Sequence, residues 1–209
     1  LLRKISRNWQ WVFINILGLT LAYACVALVF SYTTQELSYD RMHSKADRIY
    51  RVTTSSGNYS TMHPARVWGQ WVPQLPQDYP EIENFVRMVP FKKGIVEIDE
   101  HRFYSDNLFK VDSSFFDIYD FPLLSGDKET VLTQPFEAVI SQSLALKYFG
   151  HLDVLGKTID ITHQQTDTAD NYTIVGVMED FPVHSHFHAD VLTTIPDMTV
   201  NQSWGYTYY

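Results

Sequence analysis

Three histidines near the C-terminal end, His184, His186 and His188, alternate along the chain, with Asp180 and Asp190 nearby. Alternate residues of an extended strand share one face. On such a strand the imidazoles and carboxylates would form a nitrogen–oxygen set of the kind that ligates Zn2+ or Cu2+. The adjacent Pro182 favours a loop instead, in which the same side chains hydrogen-bond locally. Spacing alone leaves both readings open. The run from Gly150 to Gly156-Lys157-Thr158 looks like a phosphate-cradling loop, but five residues separate its glycines where that loop has four. It also follows a helical pattern and precedes a strand pattern, the reverse of the context that points N–H groups at phosphate. A helix stop followed by a turn accounts for both glycines. Glu179-Asp180 and Asp99-Glu100 are sequence neighbours, so on strands they face opposite sides and do not suit paired acid–base work. There is no G-x-S-x-G nucleophile elbow. The expectation is a chain without a catalytic residue or cofactor site of its own, and not an enzyme.

The elements that must position these residues are short. The segment after Arg48 alternates as a strand does, and a helical stripe follows Pro64 through Ala65, Trp68, Trp71, Val72 and Leu75. Strands are expected over 84–91, 95–99 and 102–111. Asp112 is a candidate N-cap for a short helix over SSFFDIY, and Ser141 for a helix over 142–149 that ends at Gly150. Residues 138–140 read as a buried strand, 157–163 and 172–178 as a hairpin, and 187–195 as a further strand. Short helices and strands without regular alternation indicate an α+β domain. Asn58, Asn171 and Asn201 open N-glycosylation triplets, and Asp167-Thr168-Ala169 in the hairpin matches a bacterial O-glycosylation triplet. The aromatic residues are mostly core by spacing, although Trp68 and Trp71 also suit a groove for a lipophilic cargo or partner.

One stretch organises the rest. Trp11 to Tyr32 carries no charge over 22 residues. A helix of that length covers the ~30 Å hydrocarbon core of a bilayer. Gly18 and Ala22, four residues apart, would let a second helix approach closely. Arg3, Lys4 and Arg7 precede the stretch, and no acidic residue occurs before Glu36. Basic flanks stay on the cytoplasmic side, so residues from about 33 onward are expected outside, and the stretch reads as a retained anchor rather than a cleaved signal. With three of the 16 Lys and Arg in that flank, the outer part holds 13 against 24 Asp and Glu, a net of −11. That excess argues against nucleic acid as a partner and against docking on anionic lipid. The single cysteine, Cys25, lies mid-stretch and leaves the outer part without a disulfide. The expected organisation is a cytoplasmic flank over 1–10, a transmembrane helix over 11–32, a stalk helix over 33–50 and an outer domain over 51–209. The stalk reading rests on the helical character of the segment from Thr33 to Val52.

Several segments in this order carry a resemblance: INILGLTLAYACVALV, ELSYDRMHSKADRIYRV, YPEIENFVR, VDSSFFDIYDFPLLSGD, AVISQSLALKYFG and YTIVGVMEDFPVHSHFHAD. Over nearly its whole length the chain resembles the first half of MacB/FtsX-type ABC transporter permeases, in particular the large duplicated ones of Bacteroidetes. The most specific segments are ELSYDR…ADRIYRV and VDSSFFD…LLSGD. The resemblance implies a first transmembrane helix followed by a MacB-like periplasmic core domain in the bacterial inner membrane. It implies a non-catalytic permease subunit that takes ATP-driven motion from a separate cytoplasmic ABC ATPase, where ATP and Mg2+ bind, and passes it to the periplasmic domain for export or efflux. A second permease half or copy and membrane lipid are the other implied partners. Glu36, Asp40, Arg48 and Arg51 are the implied stalk-coupling residues. The chain starts without Met and stops where such domains continue, which suggests an excerpt. Two other classes stay open, an extracytoplasmic ligand-sensing domain of a membrane receptor and a metalloprotein built on His184, His186 and His188.

Overall fold

The computed structural model describes residues 9–38, 42–53, 67, 69–91, 94–98, 101–163, 168–182 and 185–195. It divides into two compact units, Leu1–Arg41 and Met42–Tyr209.

Among its described residues the first unit is one helix, α1 (Trp9–Glu36), with none of its residues buried, followed by a turn at residues 37–38. It is long and apolar enough to cross a membrane. Its threonines do not interrupt it. Thr20 Oγ1 donates to the Ile16 carbonyl at 2.7 Å, Thr33 Oγ1 to Val29 at 2.8 Å, and Thr34 Oγ1 to Phe30 at 2.9 Å. Hydroxyls satisfied by the preceding turn can sit in hydrocarbon without an unpaired donor. The helix runs past Tyr32 and stops at Glu36. Ser38 donates both its N–H and its Oγ to the Gln35 carbonyl, closing the chain into a tighter turn.

The stalk helix expected over 33–50 is therefore not continuous. Residues 42–45 are turns, Ala46–Arg48 form one 3-10 turn, and residues 49–53 have no regular structure, strand included. Helix formation here competes with tertiary contacts that draw His43, Ser44 and Lys45 onto the domain, and the contacts prevail.

The second unit is a nine-stranded mixed sheet. Its strands are β1 (Met88–Pro90), β2 (Gly94–Ile98), β3 (His101–Ser105), β4 (Leu108–Val111), β5 (Leu123–Ser125), β6 (Glu137–Ser141), β7 (Thr158–His163), β8 (Ala169–Met178) and β9 (Val191–Thr194). Their order is β1-β4-β9-β6-β8-β7-β2-β3, with β5 added against β8. Two neighbouring pairs, β4 with β9 and β6 with β8, are parallel. Among the described residues three α-helices accompany it: α2 (Leu75–Asp78), α3 (Phe115–Ile118) and α4 (Gln142–Phe149).

Period-two alternation sends side chains to both faces, and each face has its own core. Ala138, Ile140, Val191 and Leu108 join one cluster, which α4 covers with Leu144 and Ala145. Val139, Leu192 and Val111 join the other, which α3 covers with Phe115 and Phe116. The register of β8 shifts between Ala138↔Ile174 and Val139↔Gly176, leaving Val175 as the extra residue of a bulge. Gly176 then lies where a Cβ would come within 3.3 Å of the Ser125 carbonyl, so the bulge and a missing side chain together admit β5.

The turn chemistry read from the sequence is partly in place. Ser141 Oγ accepts from the Leu144 N–H at 3.2 Å, and Gly150 takes φ 75° at the end of α4. Asp112 does not cap α3, whose N-cap position is Ser114. Its carboxylate is taken by Arg87 instead. The strand expected over 102–111 is two, β3 and β4, because the Ser105 hydroxyl accepts the Asn107 N–H at 3.1 Å and turns the chain. The stripe around Trp71 to Leu75 becomes a 3-10 turn over Val72–Gln74 and the single turn α2. Pro73 and Pro76 cannot donate to a longer helix.

Candidate functional site

Within the second unit, its first residues, from Met42, are held against the sheet domain by a small set of contacts. His43 is buried at 6% exposure, and its Nδ1 accepts the Asp120 N–H at 3.2 Å. Its ring stands edge-on to Tyr119 at 5.1 Å and to Phe121 at 4.9 Å. Those two rings belong to the aromatic cluster that includes Phe115 and Phe181. Burial of one imidazole among rings, with its ring nitrogen bonded, gives a contact that is both apolar and directional.

Its sequence neighbours extend the contact. The Ser44 N–H donates to Asp120 Oδ2 at 2.5 Å, and Lys45 Nζ donates to the Asp117 carbonyl at 2.7 Å. The Ser44 hydroxyl and N–H hold the Asp120 carboxyl below the usual carboxylate range, against a smaller upward push from desolvation and with the Lys128 charge adding to the shift. Lys45 lies beyond the end of α3, where exposed carbonyls favour a cation. Arg48 forms an ion pair with Glu83. Both side chains are more than half exposed, so that pair contributes only ~0–1 kcal/mol.

The expected coupling residues are thus placed unequally. Arg48 pairs with Glu83 within the second unit. Glu36 ends α1 and is exposed, and Arg51 is exposed in the irregular segment. Asp40 lies outside the described residues. The sequence reading missed His43, Ser44 and Lys45 on one side and Asp117 and Asp120 on the other. Apart from Asp117, these residues fall between the specific parts of the two segments, so the resemblance did not single them out, although the fold brings those segments together.

The histidine triad is only partly visible. His184 lies outside the described residues, while His186 and His188 are both exposed. The His188 ring lies 6.3 Å from that of Phe181. Among the described residues no group of three or more His, Cys, Asp or Glu is arranged to hold a metal ion. Asp190 is engaged elsewhere, accepting the Ser105 hydroxyl at 2.9 Å. Asp180 accepts the Ser143 N–H at 3.0 Å and its hydroxyl as well, at the start of α4. Gly156 takes φ 80° in a turn whose N–H donates to the Ile174 carbonyl, as a structural turn requires. Trp68, Asp99, Glu100 and the triplets at Asn58 and Asn201 lie outside the described residues; Trp71 is 54% exposed. Asn171 donates to Asp160 Oδ1 at 2.7 Å across the hairpin, and Thr168 is exposed.

Comparison with known proteins fits this architecture. No curated protein matches the chain. Among solved structures, a domain of a protein described as a permease from Porphyromonas gingivalis aligns with TM-score 0.55 at 27% identity, over 66% of this chain and 63% of that one. The present chain therefore spans less than two thirds of that domain. The extracellular domain of the noncanonic ABC-type transporter YknZ from Gram-positive bacteria aligns with TM-score 0.50 at 17% identity, over 75% and 76%, and shares the fold. The periplasmic region of MacB from Actinobacillus actinomycetemcomitans gives TM-score 0.49 at 16% identity, over 75% and 68%. The model of the MacB-like periplasmic core domain matches residues 12–208, which includes nearly all of α1 and the whole described sheet. The chain belongs to the MacB-like periplasmic core domain family of ABC transporter permeases.

Proposed function

We propose that this chain is a non-catalytic permease subunit in which residues 37–51 carry motion between a cytoplasmic ABC ATPase and the periplasmic sheet domain, in the service of export or efflux. The observation that carries the reading is the insertion of His43 among Tyr119 and Phe121, with Ser44 and Lys45 bonded on either side of it. A displacement of the segment is resisted by buried contacts and not by surface charge alone. A coupling element needs such an attachment if its two ends are to bias one two-state element. ATP and Mg2+ belong to the separate ATPase, and a second permease half or copy completes the bundle. Asn15 is compatible with a bundle, since a polar amide within an apolar span would find a partner on another helix.

The test is hydrogen exchange of the reconstituted transporter, with its ATPase, in the presence and absence of ATP. The expected result is an ATP-dependent change in protection both across residues 42–50 and in α3 and its strand neighbours. The paired substitution His43→Ala with Asp120→Ala should confine the change to the membrane side of residue 42. Identical exchange with and without ATP over residues 42–195 of the unsubstituted transporter would overturn the proposal.

A further inference from the structure

Beside the attached segment lies a cavity of about 540 Å³, within the size range of small-molecule sites. Its walls are mainly apolar, with Val72, Ile82 and Ile118 among them, and three aromatic residues line it: Tyr50, Phe85 and Tyr119. Five charged residues also line it. Arg48 and Glu83 neutralise each other as an ion pair, and Lys45 Nζ is bonded to the Asp117 carbonyl. The Glu81 and Asp117 carboxylates enter no ion pair among the described residues. The described lining therefore carries one more negative than positive charge.

We infer that this cavity binds an organic cation with an apolar body, of the substituted-ammonium class. Two features select that chemistry together. Aromatic faces attract a poorly hydrated ammonium through the ring quadrupole, by ~0.5–2 kcal/mol per ring. Two carboxylates without ionic partners supply the counter-charge, while a small inorganic cation would gain nothing from the apolar walls. An anion would face the same carboxylates unfavourably. Five of the residues lining the cavity, from Lys45 to Val52, belong to the segment attached through His43. A bound cation would thus touch the element assigned to coupling, although binding itself does not depend on that assignment.

The test uses the whole 209-residue chain in nonionic detergent, with benzyltrimethylammonium as probe and benzenesulfonate as the anionic control of similar body, each followed by saturation-transfer difference NMR. The ammonium should bind and the sulfonate should not. Glu81→Gln with Asp117→Asn should weaken the ammonium about tenfold, in line with loss of a counter-charge in a partly desolvated site. Ile82→Trp, which fills the cavity, should abolish binding. Circular dichroism of each variant establishes that it is folded. Tyr104→Ala, at a 77% exposed position on β3 that lines no part of the cavity, should leave binding unchanged and so separates a site effect from a general effect of substitution. Equal binding of ammonium and sulfonate, or ammonium binding unaffected by either cavity variant, overturns the inference, as does no ammonium binding at millimolar concentration.

Discussion

Tyr172 shows how far a single residue is committed by its position. It is 1% exposed on the α4 face of β8, and its hydroxyl makes no well-formed hydrogen bond among the described residues, although the Thr193 hydroxyl lies near it. Burial pushes its phenol up to about 12, with the Asp170 charge adding to the shift and nearby Thr193 opposing it. The folded state therefore keeps a proton that the unfolded chain loses near the ordinary value of 10. Stability from this group is complete below pH 10 and declines as pH rises from 10 to about 12, by roughly 2 kcal/mol at the upper end. Lys110, pulled below its usual range by burial, acts in the opposite sense. A Tyr172→Phe variant keeps Lys110 and removes only the phenol. Its urea midpoint should match the parent within about 1 kcal/mol at neutral pH, since the lost hydroxyl made no well-formed hydrogen bond. It should exceed the parent progressively above pH 10, and parallel curves up to pH 12 would show that the phenol is not held in this way.

Among the elements, the contrast between the edge of the sheet and its middle explains what could be read from the sequence. β6, α4 and the β7–β8 hairpin were legible because local signals agree with the fold: a buried run, a serine cap, a left-handed glycine and two alternating strands. The segment after α1 was not legible, because its helical pattern is overridden by partners 70 to 80 residues away. Asp112 misled for the same reason. Its spacing before SSFFDIY fits a cap, but the Arg87 guanidinium reaches it from β1's approach, with NH2 to Oδ1 at 2.6 Å and Nε to Oδ2 at 2.9 Å. Arg87 also donates NH1 to the Gly69 carbonyl at 3.1 Å, tying the turn before α2 to the sheet edge. The two side chains are 10% and 13% exposed. Removing one partner strands a largely buried charge, at a cost of ~3–5 kcal/mol. Arg87→Ala should therefore lower the urea midpoint sharply. Arg87→Met combined with Asp112→Leu should recover more than half of that loss. A single variant within 1 kcal/mol of the parent would show the pair to be dispensable.

On the scale of the whole molecule, the charge distribution and α1 make one claim that neither makes alone. A 28-residue helix is about 42 Å long, more than the ~30 Å hydrocarbon core, so it accommodates a span with tilt or with ends in the headgroup layer. Length does not give direction. Direction follows from the basic residues, since Lys and Arg near a span resist translocation whereas acidic groups contribute little. Arg3, Lys4 and Arg7 all precede α1, and no basic residue follows it until Arg41. The excess of acidic groups beyond residue 35 thus matters for solubility of the sheet domain, not for its sidedness. An alkaline phosphatase fused after Tyr209 should be active in cells, and a fluorescent protein fused before Leu1 should fluoresce. Replacing Arg3, Lys4 and Arg7 by Gln while changing Thr33 and Thr34 to Lys should reduce the phosphatase signal several-fold, because the bias is then reversed. High phosphatase activity from this reversed variant would mean that folding of the sheet domain, and not flank charge, fixes the sidedness. An inactive fusion on the unaltered chain would place the domain inside the cell and remove the basis for coupling through residues 37–51.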